Sequence, residues 1–261
     1  MKKTVLITGA SSGIGLELSK IFAAEGYDLA LVARNEAKLN QLAAELSEKY
    51  DSKVTVLAKD LSQPASPAEI FSTLDACDIK IDILVNNAGF GTYGRFANLD
   101  LGRELEMIQV DVVSLTHQTH LFLPGMLERG FGRILNLGST GSFAPAPLMS
   151  AYAACKAFVL SFSEALSEEL KGTNVRVTAL CPGVTWTGFQ QTANVNRMRL
   201  VHSPGGMSAE QVARLGYHAL MRGQAIVVPG LFNQLLPVAV RFFPRSLVRW
   251  ASLRMMQQEG E

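Results

Sequence analysis

Thr4-Val5-Leu6-Ile7, continued by Thr8-Gly9-Ala10-Ser11-Ser12-Gly13-Ile14-Gly15, is the stretch that decides the fold. Four residues suited to a buried strand run into a sharp glycine turn, and the turn opens a helix expected over 13–25. The first turn of a helix presents backbone N–H groups without intrahelical partners, at the positive end of the helix dipole, so an anion can sit there. Residues 9, 11, 12 and 13 are small and let that anion approach the main chain closely. Near the start of an alternating α/β pattern this points to the diphosphate of a dinucleotide, although a tight strand–helix turn without a ligand has the same composition.

The rest of the 261-residue chain is consistent with that reading. Hydrophobic residues make up 48% and charged residues 18%, a balance that excludes disorder and suits a well-buried parallel sheet. A formal charge of +1 offers no global attraction to nucleic acid or to anionic lipid. Cys77, Cys155 and Cys181 stand far apart, with no CxxC pair, so neither a disulfide framework nor a structural metal site is expected. Lys2 and Lys3 precede only a short apolar stretch, too short for a signal peptide, and no apolar run is long enough to span a bilayer. The expectation is a cytoplasmic protein.

Short apolar runs alternate with amphipathic stretches. Strands are expected at 3–8, 28–33, 53–57, 81–86, 132–138, 174–181 and 225–229, and helices at 13–25, 35–50, 66–76, 101–124, 150–171 and 208–222. In helix 35–50, Leu39, Leu42, Ala43 and Leu46 share one stripe, and Asn35 and Ser208 stand where N-caps belong. No repeat, low-complexity tract or linker divides residues 1–261, so a single domain is expected. Right-handed crossovers make it a doubly wound parallel sheet of Rossmann type with helices on both faces. In such a sheet ligands bind beyond the carboxyl ends of the strands. The glycine turn, Asp60, Asn86–Gly89, Ser139 and Pro182-Gly183 all fall at those ends.

Tyr152 and Lys156, four apart at the start of a helix, project from one face. A phenol with a pKa near 10 is a poor acid or base at neutral pH, and a neighbouring cation favours its phenolate. Ser139 ends the preceding strand, where its hydroxyl could hold a carbonyl oxygen. In order along the chain, Thr8-Gly-x-x-x-Gly-Ile-Gly15, Asp60-Leu61, Asn86-Asn-Ala-Gly89, Ser139, Tyr152-x-x-x-Lys156 and Pro182-Gly183 with Thr187 make the sequence resemble the short-chain dehydrogenase/reductase family over roughly residues 3–230.

That resemblance implies roles. Tyr152 would be the general acid in carbonyl reduction and the base in alcohol oxidation. Lys156 would lower its pKa and bind the nicotinamide ribose, and Ser139 would orient the substrate oxygen. Gly9, Ser11, Ser12, Gly13, Ile14 and Gly15 would cradle the diphosphate. Asp60 and Leu61 would meet the adenine, and Asn87, Ala88 and Gly89 the middle of the cofactor. Pro182, Gly183 and either Thr185 or Thr187 would meet the carboxamide end. Asn86 is open to a purely sheet-knitting reading, and Asn136 is expected to fix a strand. One position departs from the family: Asp111 stands where an asparagine is usual. The family uses the main-chain carbonyl there to hold a water in a relay to Lys156, and an aspartate keeps that carbonyl while exchanging an amide for an acid.

The second strand ends in Ala33-Arg34-Asn35 rather than in a carboxylate that would bind ribose hydroxyls. A guanidinium there matches a 2′-phosphate, with Glu36 directed away, so NADPH is expected over NADH. Residues 183–207 are irregular in composition and would form the family's substrate lid. Phe143, Met149, Trp186 and Phe189 would surround the reacting centre and favour a hydrophobic ketone, aldehyde or acyl thioester. The first half of helix 150–171 is apolar nearly all round; with helix 101–124 it is expected to form a homodimer or homotetramer contact. In the extension 231–261, Leu235, Val238, Phe242 and Trp250 are interleaved with Arg241, Arg245 and Arg249. This is either an amphipathic segment in weak contact with a membrane surface or, as the default, a pair of short helices closing the pocket or a subunit contact. The function expected is NADPH-dependent interconversion of a carbonyl and an alcohol. The alternatives are a 3-oxoacyl thioester reductase of lipid metabolism and a non-catalytic dinucleotide-binding regulator.

Overall fold

A computed structural model describes residues 2–193, 195 and 205–257. A seven-stranded sheet, parallel throughout, runs in the order β3-β2-β1-β4-β5-β6-β9. The strands are β1 Thr4–Thr8, β2 Asp28–Ala33, β3 Val54–Ala58, β4 Ile81–Asn86, β5 Gly132–Leu137, β6 Val175–Leu180 and β9 Ile226–Val227. The chain winds outward from β1 to β3, returns to β4 on the other side of β1, and winds outward again. The point of reversal lies between β1 and β4, where this topology leaves a crevice at the carboxyl ends.

Successive strand residues point to opposite faces and bury in two cores. Val5 and Ile7 of β1 join Leu29 and Leu31 of β2 in one core, under α1 Gly13–Ala24, α2 Glu36–Tyr50 and α8 Ala209–Arg222. Leu6, Ala30 and Leu84 point the other way, towards α3 Ser66–Ala76, α5 Leu115–Glu128 and α6 Ser150–Glu169. Both faces being covered, the strands read as continuous apolar runs rather than alternating ones. The expected stripe of α2 is buried at Leu39, Leu42 and Leu46, with Ala43 at its half-buried edge. Asn35 caps that helix through Lys38 N (3.0 Å), and Ser208 forms a capping box with Gln211.

Three expectations need correction. The helix expected over 101–124 is broken: α4 Leu101–Ile108 and α5 are joined by a π-helical turn, Gln109–Ser114, and α5 continues past Pro124 to Glu128. The wide turn admits one extra residue per turn, and it carries the buried Asp111. Strand 225–229 shortens to Ile226–Val227. The described part of the expected lid is not irregular throughout. It contains β7 Thr185–Trp186 paired with β8 Met207–Ser208, and α7 Phe189–Thr192. Residues 194 and 196–204 of that stretch, and 258–261 of the C-terminal extension, lie outside the described residues. The extension forms α9 Leu231–Phe242 and α10 Arg245–Met256; Pro237 sits inside the first and Pro244 immediately precedes the second.

Candidate active site

The glycine turn is locked to the end of β4 by Thr8. Its hydroxyl oxygen accepts from Asn87 N (3.0 Å) and Ala88 N (2.9 Å), and Asn87 Nδ2 donates back to Thr8 O (2.8 Å). Gly9 and Gly13 both adopt left-handed φ, +67° and +56°. A Cβ on Gly9 would stand 2.7 Å from Asn87 Nδ2, and one on Gly13 would stand 3.2 Å from the Thr187 methyl. Ser12, at the N-cap of α1, makes no side-chain capping bond. The first-turn N–H groups therefore face a cradle that side chains would fill, which is the geometry a diphosphate needs.

A cavity of about 470 Å³ runs from this turn to α6. Gly9, Ser11, Ser12, Gly13 and Ile14 line one end, with Arg34, Asp60 and Leu61 beside them. Asn87, Ala88 and Gly89 form the middle; Ser139, Tyr152, Lys156, Pro182, Gly183, Thr185 and Thr187 close the far end. Two expected site residues do not line it. Gly15 packs instead: a Cβ there would collide with the carbonyl oxygen of Gly9 and with Asn87, so glycine lets α1 lie close to the turn. Asp111 lies behind the wall, 1% exposed, with Oδ2 3.5 Å from Lys156 Nζ. Glycine at position 89 makes room for it, since a Cβ would collide with Asp111 Oδ1.

Asn86 and Asn136, paired in register on β4 and β5, serve the sheet. Asn86 Nδ2 donates to Asn136 Oδ1 (2.9 Å) and Thr119 Oγ1 (3.1 Å), and Asn136 Nδ2 donates to Ser163 Oγ (2.9 Å). Sequence reasoning missed Ser142. Its hydroxyl donates to Lys156 O (2.7 Å) and accepts from Ser139 N (3.1 Å), which fastens the Ser139 loop to α6. Lys59, Asn35 and Ser62 at the Arg34 end were also missed, although they adjoin the strand-end residues that were found.

Lys156 Nζ donates to Leu137 O (3.0 Å) and lies 5.7 Å from the Tyr152 ring centroid. Burial works to lower the Lys156 pKa, but Asp111 foremost and then Tyr152 outweigh it, and the net direction is up. Burial likewise lifts Asp111 to about 6, with Lys156 and the Phe90 backbone opposing. The Tyr152 phenol is raised above its ordinary value: burial leads, Lys156 pulls down, Asp111 pushes up, and the Ser139 hydroxyl pulls down. The expected downward pull of Lys156 is present but is not the largest influence. The arrangement keeps a proton on Tyr152 at neutral pH, beside a permanent cation.

The far end is apolar. Ala146, Met149 and Val195 are buried there, with Phe189 tilted against Tyr152 at a centroid distance of 5.4 Å. Met256, from the end of α10, also lines the cavity, and no sequence signal marked it. Phe143 and Trp186 do not reach this chamber. Phe143 follows the turn Thr140–Ser142 and packs against Leu160, Ala179 and Cys181. Trp186 alternates with the buried Thr185 on β7, so it points outward, 52% exposed.

The chain is similar to known proteins in sequence and in fold. A sulfoacetaldehyde reductase of Chromohalobacter salexigens is 38% identical over 191 residues, 72% of this chain and 75% of that protein. A very-long-chain 3-oxoacyl-CoA reductase of Phaeosphaeria nodorum is 38% identical over 217 residues, 81% of this chain but 62% of its own length. A short-chain dehydrogenase from Sphingobium yanoikuyae, solved in complex with NADPH, superposes with a TM-score of 0.81 at 32% identity, covering 94% of this chain and 97% of that one. The profile described as short chain dehydrogenase matches residues 3–198, a span that holds the glycine turn, Asn86–Gly89, Ser139, Tyr152 and Lys156. On that match and this geometry, the chain belongs to the short chain dehydrogenase family.

Proposed function

We propose that this chain is an NADPH-dependent reductase of hydrophobic ketones or aldehydes, able to run in reverse as an alcohol dehydrogenase. The observation that carries the reading is one continuous cavity with a glycine cradle at one end and Ser139, Tyr152 and Lys156 at the other. NADPH, when bound, supplies the hydride. Gly9 and Ser11–Ile14 would hold its diphosphate. Arg34 would pair with the 2′-phosphate, since no carboxylate lines the cavity at the end of β2. Asp60 and Leu61 would flank the adenine; Asn87–Gly89, Pro182, Gly183, Thr185 and Thr187 would hold the remainder. Ser139 orients the carbonyl oxygen, Tyr152 donates the proton to it, and Lys156 stabilises the phenolate left behind. Asp111 supplies the counter-charge behind Lys156.

Ala146, Met149, Phe189 and Val195 support a hydrophobic substrate, with 183–207 acting as its lid. The relationship to 3-oxoacyl-CoA reductases favours an acyl thioester as the second reading. Leu105, Ile108 and Val113 lie exposed on α4 and the π-helical turn, and Phe158 on α6, which supports assembly with a second copy across this face. Paired fluorescence titrations with NADPH and NADH test the reading first, followed by NADPH consumption with aromatic and aliphatic ketones. Tighter NADPH binding and turnover are expected. Preference for NADH overturns the Arg34 assignment, and cofactor binding without turnover of any carbonyl favours a dinucleotide-binding regulator.

A further inference from the structure

Helices α9 and α10 leave an apolar stripe open to solvent. In α9, Leu231, Leu235, Val238 and Phe242 recur at spacings of four and three and so share one face, with Phe232 beside it. Leu231 and Phe242 are each 81% exposed. The opposite side is half-buried against the body of the protein, where Asn233 packs on Gly183. Phe243, in the connection, and Leu247 and Trp250, one turn apart on α10, extend the exposed apolar surface.

Within α9 and α10 the charge has one sign. Arg241, Arg245, Arg249 and Arg254 fall between residues 231 and 257, and no aspartate or glutamate does. Among the described residues, none of these arginines is in an ion pair. Arg254 stands over the Trp250 ring, 5.8 Å from its centroid. A chain with a formal charge of +1 thus gathers cations and apolar groups on one projecting element. A symmetric contact centred on α9 and α10 would set arginine against arginine, the nearest acids in this part of the sequence being Glu259 and Glu261 beyond α10, which disfavours that occupant. The exposed face of α4 and α6 is different, since Glu106 and Glu164 flank it.

We propose that the α9–α10 segment is a docking surface for an anionic lipid membrane. Leu231, Leu235, Val238, Phe242 and Trp250 enter the interfacial region, and the arginines reach the headgroup phosphates. The contact is peripheral: among the described residues, no helix is long and apolar enough to cross a membrane. This inference draws only on α9 and α10 and stands apart from the reductase reading, which the cofactor titration tests separately.

Co-sedimentation of the full chain with phosphatidylcholine vesicles, and with vesicles containing added phosphatidylglycerol, tests it. Binding to the anionic vesicles alone, released by high salt, is expected. L235D/F242D should lower the bound fraction by about tenfold or more, and R241Q/R245Q/R249Q should abolish the preference for anionic lipid. None of these residues lines the cavity, so unchanged NADPH affinity certifies folding; if the aspartate variant fails that check, the glutamine variant decides alone. Absence of binding, or equal binding to neutral vesicles, overturns the proposal. So does a wild-type dimer that L235D/F242D converts to monomer, which would make the face a subunit contact.

Discussion

The two ends of the cavity are built by different means. At the glycine end nearly every contact comes from the last residue of a strand or the first turn after it: Gly9–Ile14 after β1, Arg34 after β2, Asp60 after β3, Asn87–Gly89 after β4. Parallel register fixes these positions relative to one another, so the end is rigid and shaped largely by main chain. At the reacting end Ser139 after β5 and Pro182-Gly183 after β6 are placed in the same way, and Tyr152 and Lys156 are held on α6. The surrounding wall is side chain, drawn from Met149 before α6, Phe189 and Val195 beyond β7, and Met256 from α10. On the proposed reading, the contrast separates what the cavity would hold constant, a dinucleotide and a proton donor, from what it is free to vary, the substrate.

The sharpest way to break that division is at Tyr152. If it is the proton donor, Tyr152→Phe should lower kcat by about 10²–10⁴-fold while NADPH affinity changes little. Single-turnover kinetics and a fluorescence titration read the two separately. Comparable loss of affinity would mean the tyrosine serves the cofactor rather than the chemistry.

Next in size is the glycine end itself. Arg34→Ala removes a charge-assisted contact of about 1.5–3 kcal/mol, roughly a factor of ten to a hundred in NADPH Kd, with NADH binding unchanged. An equal effect on both nucleotides would show that Arg34 does not recognise the 2′-phosphate.

The same contrast accounts for what the sequence revealed. Strand-end residues were legible because a parallel sheet converts motif order into spatial order: the glycine turn, Asp60, Asn87–Gly89 and Ser139 all reached one cavity. Gly15 belongs to the same motif yet serves packing, and spacing alone does not separate a glycine near a ligand from one near a helix. The break at Gln109–Ser114 was hidden because neither glycine nor proline marks it in the sequence; it carries the buried Asp111, whose carboxylate lies 3.5 Å from Lys156 Nζ. The chamber was read half correctly. Met149 and Phe189 line it, but Phe143 and Trp186 turn elsewhere and Met256 arrives from a distant helix. Side-chain walls assembled from separate segments leave no period to read.

Asp111 links the two kinds of construction, and its effect is on pH rather than on maximal rate. With a pKa of about 6, it is ionised above that pH, where its charge raises the Tyr152 pKa. Asp111→Asn removes that charge. The limb of the reductive kcat profile set by loss of the Tyr152 proton should move to lower pH by about one unit, and the inflection near 6 should vanish. The same shift bears on stability. A carboxyl whose folded pKa lies above its unfolded value contributes stability that is full below the unfolded pKa and lost as pH rises through about 6. The variant also removes the counter-charge that raises the Lys156 pKa, so the two effects oppose, and the Tm difference between variant and wild type should change as pH passes through about 6 and level off in acid. Identical kcat profiles would show that the side chain has no influence on the proton donor.

The smallest effect is expected where the wall is most replaceable. Met256 reaches the chamber from the end of α10, and its main-chain oxygen accepts a hydrogen bond from Tyr93 Oη (2.8 Å). Met256→Ala keeps that main-chain bond and opens one side of the chamber. KM for a bulky ketone should change about fivefold to tenfold, the lower end of the roughly 1–3 kcal/mol that a pocket methylene can discriminate, with kcat and NADPH affinity held. The direction depends on substrate size: a small carbonyl loses contact and its KM rises, whereas a larger one gains room and its KM falls. A uniform drop in kcat for all substrates would instead place Met256 with the rigid part of the site, and α10 would then be needed to hold Tyr152 and Lys156 in place rather than to shape what they act on.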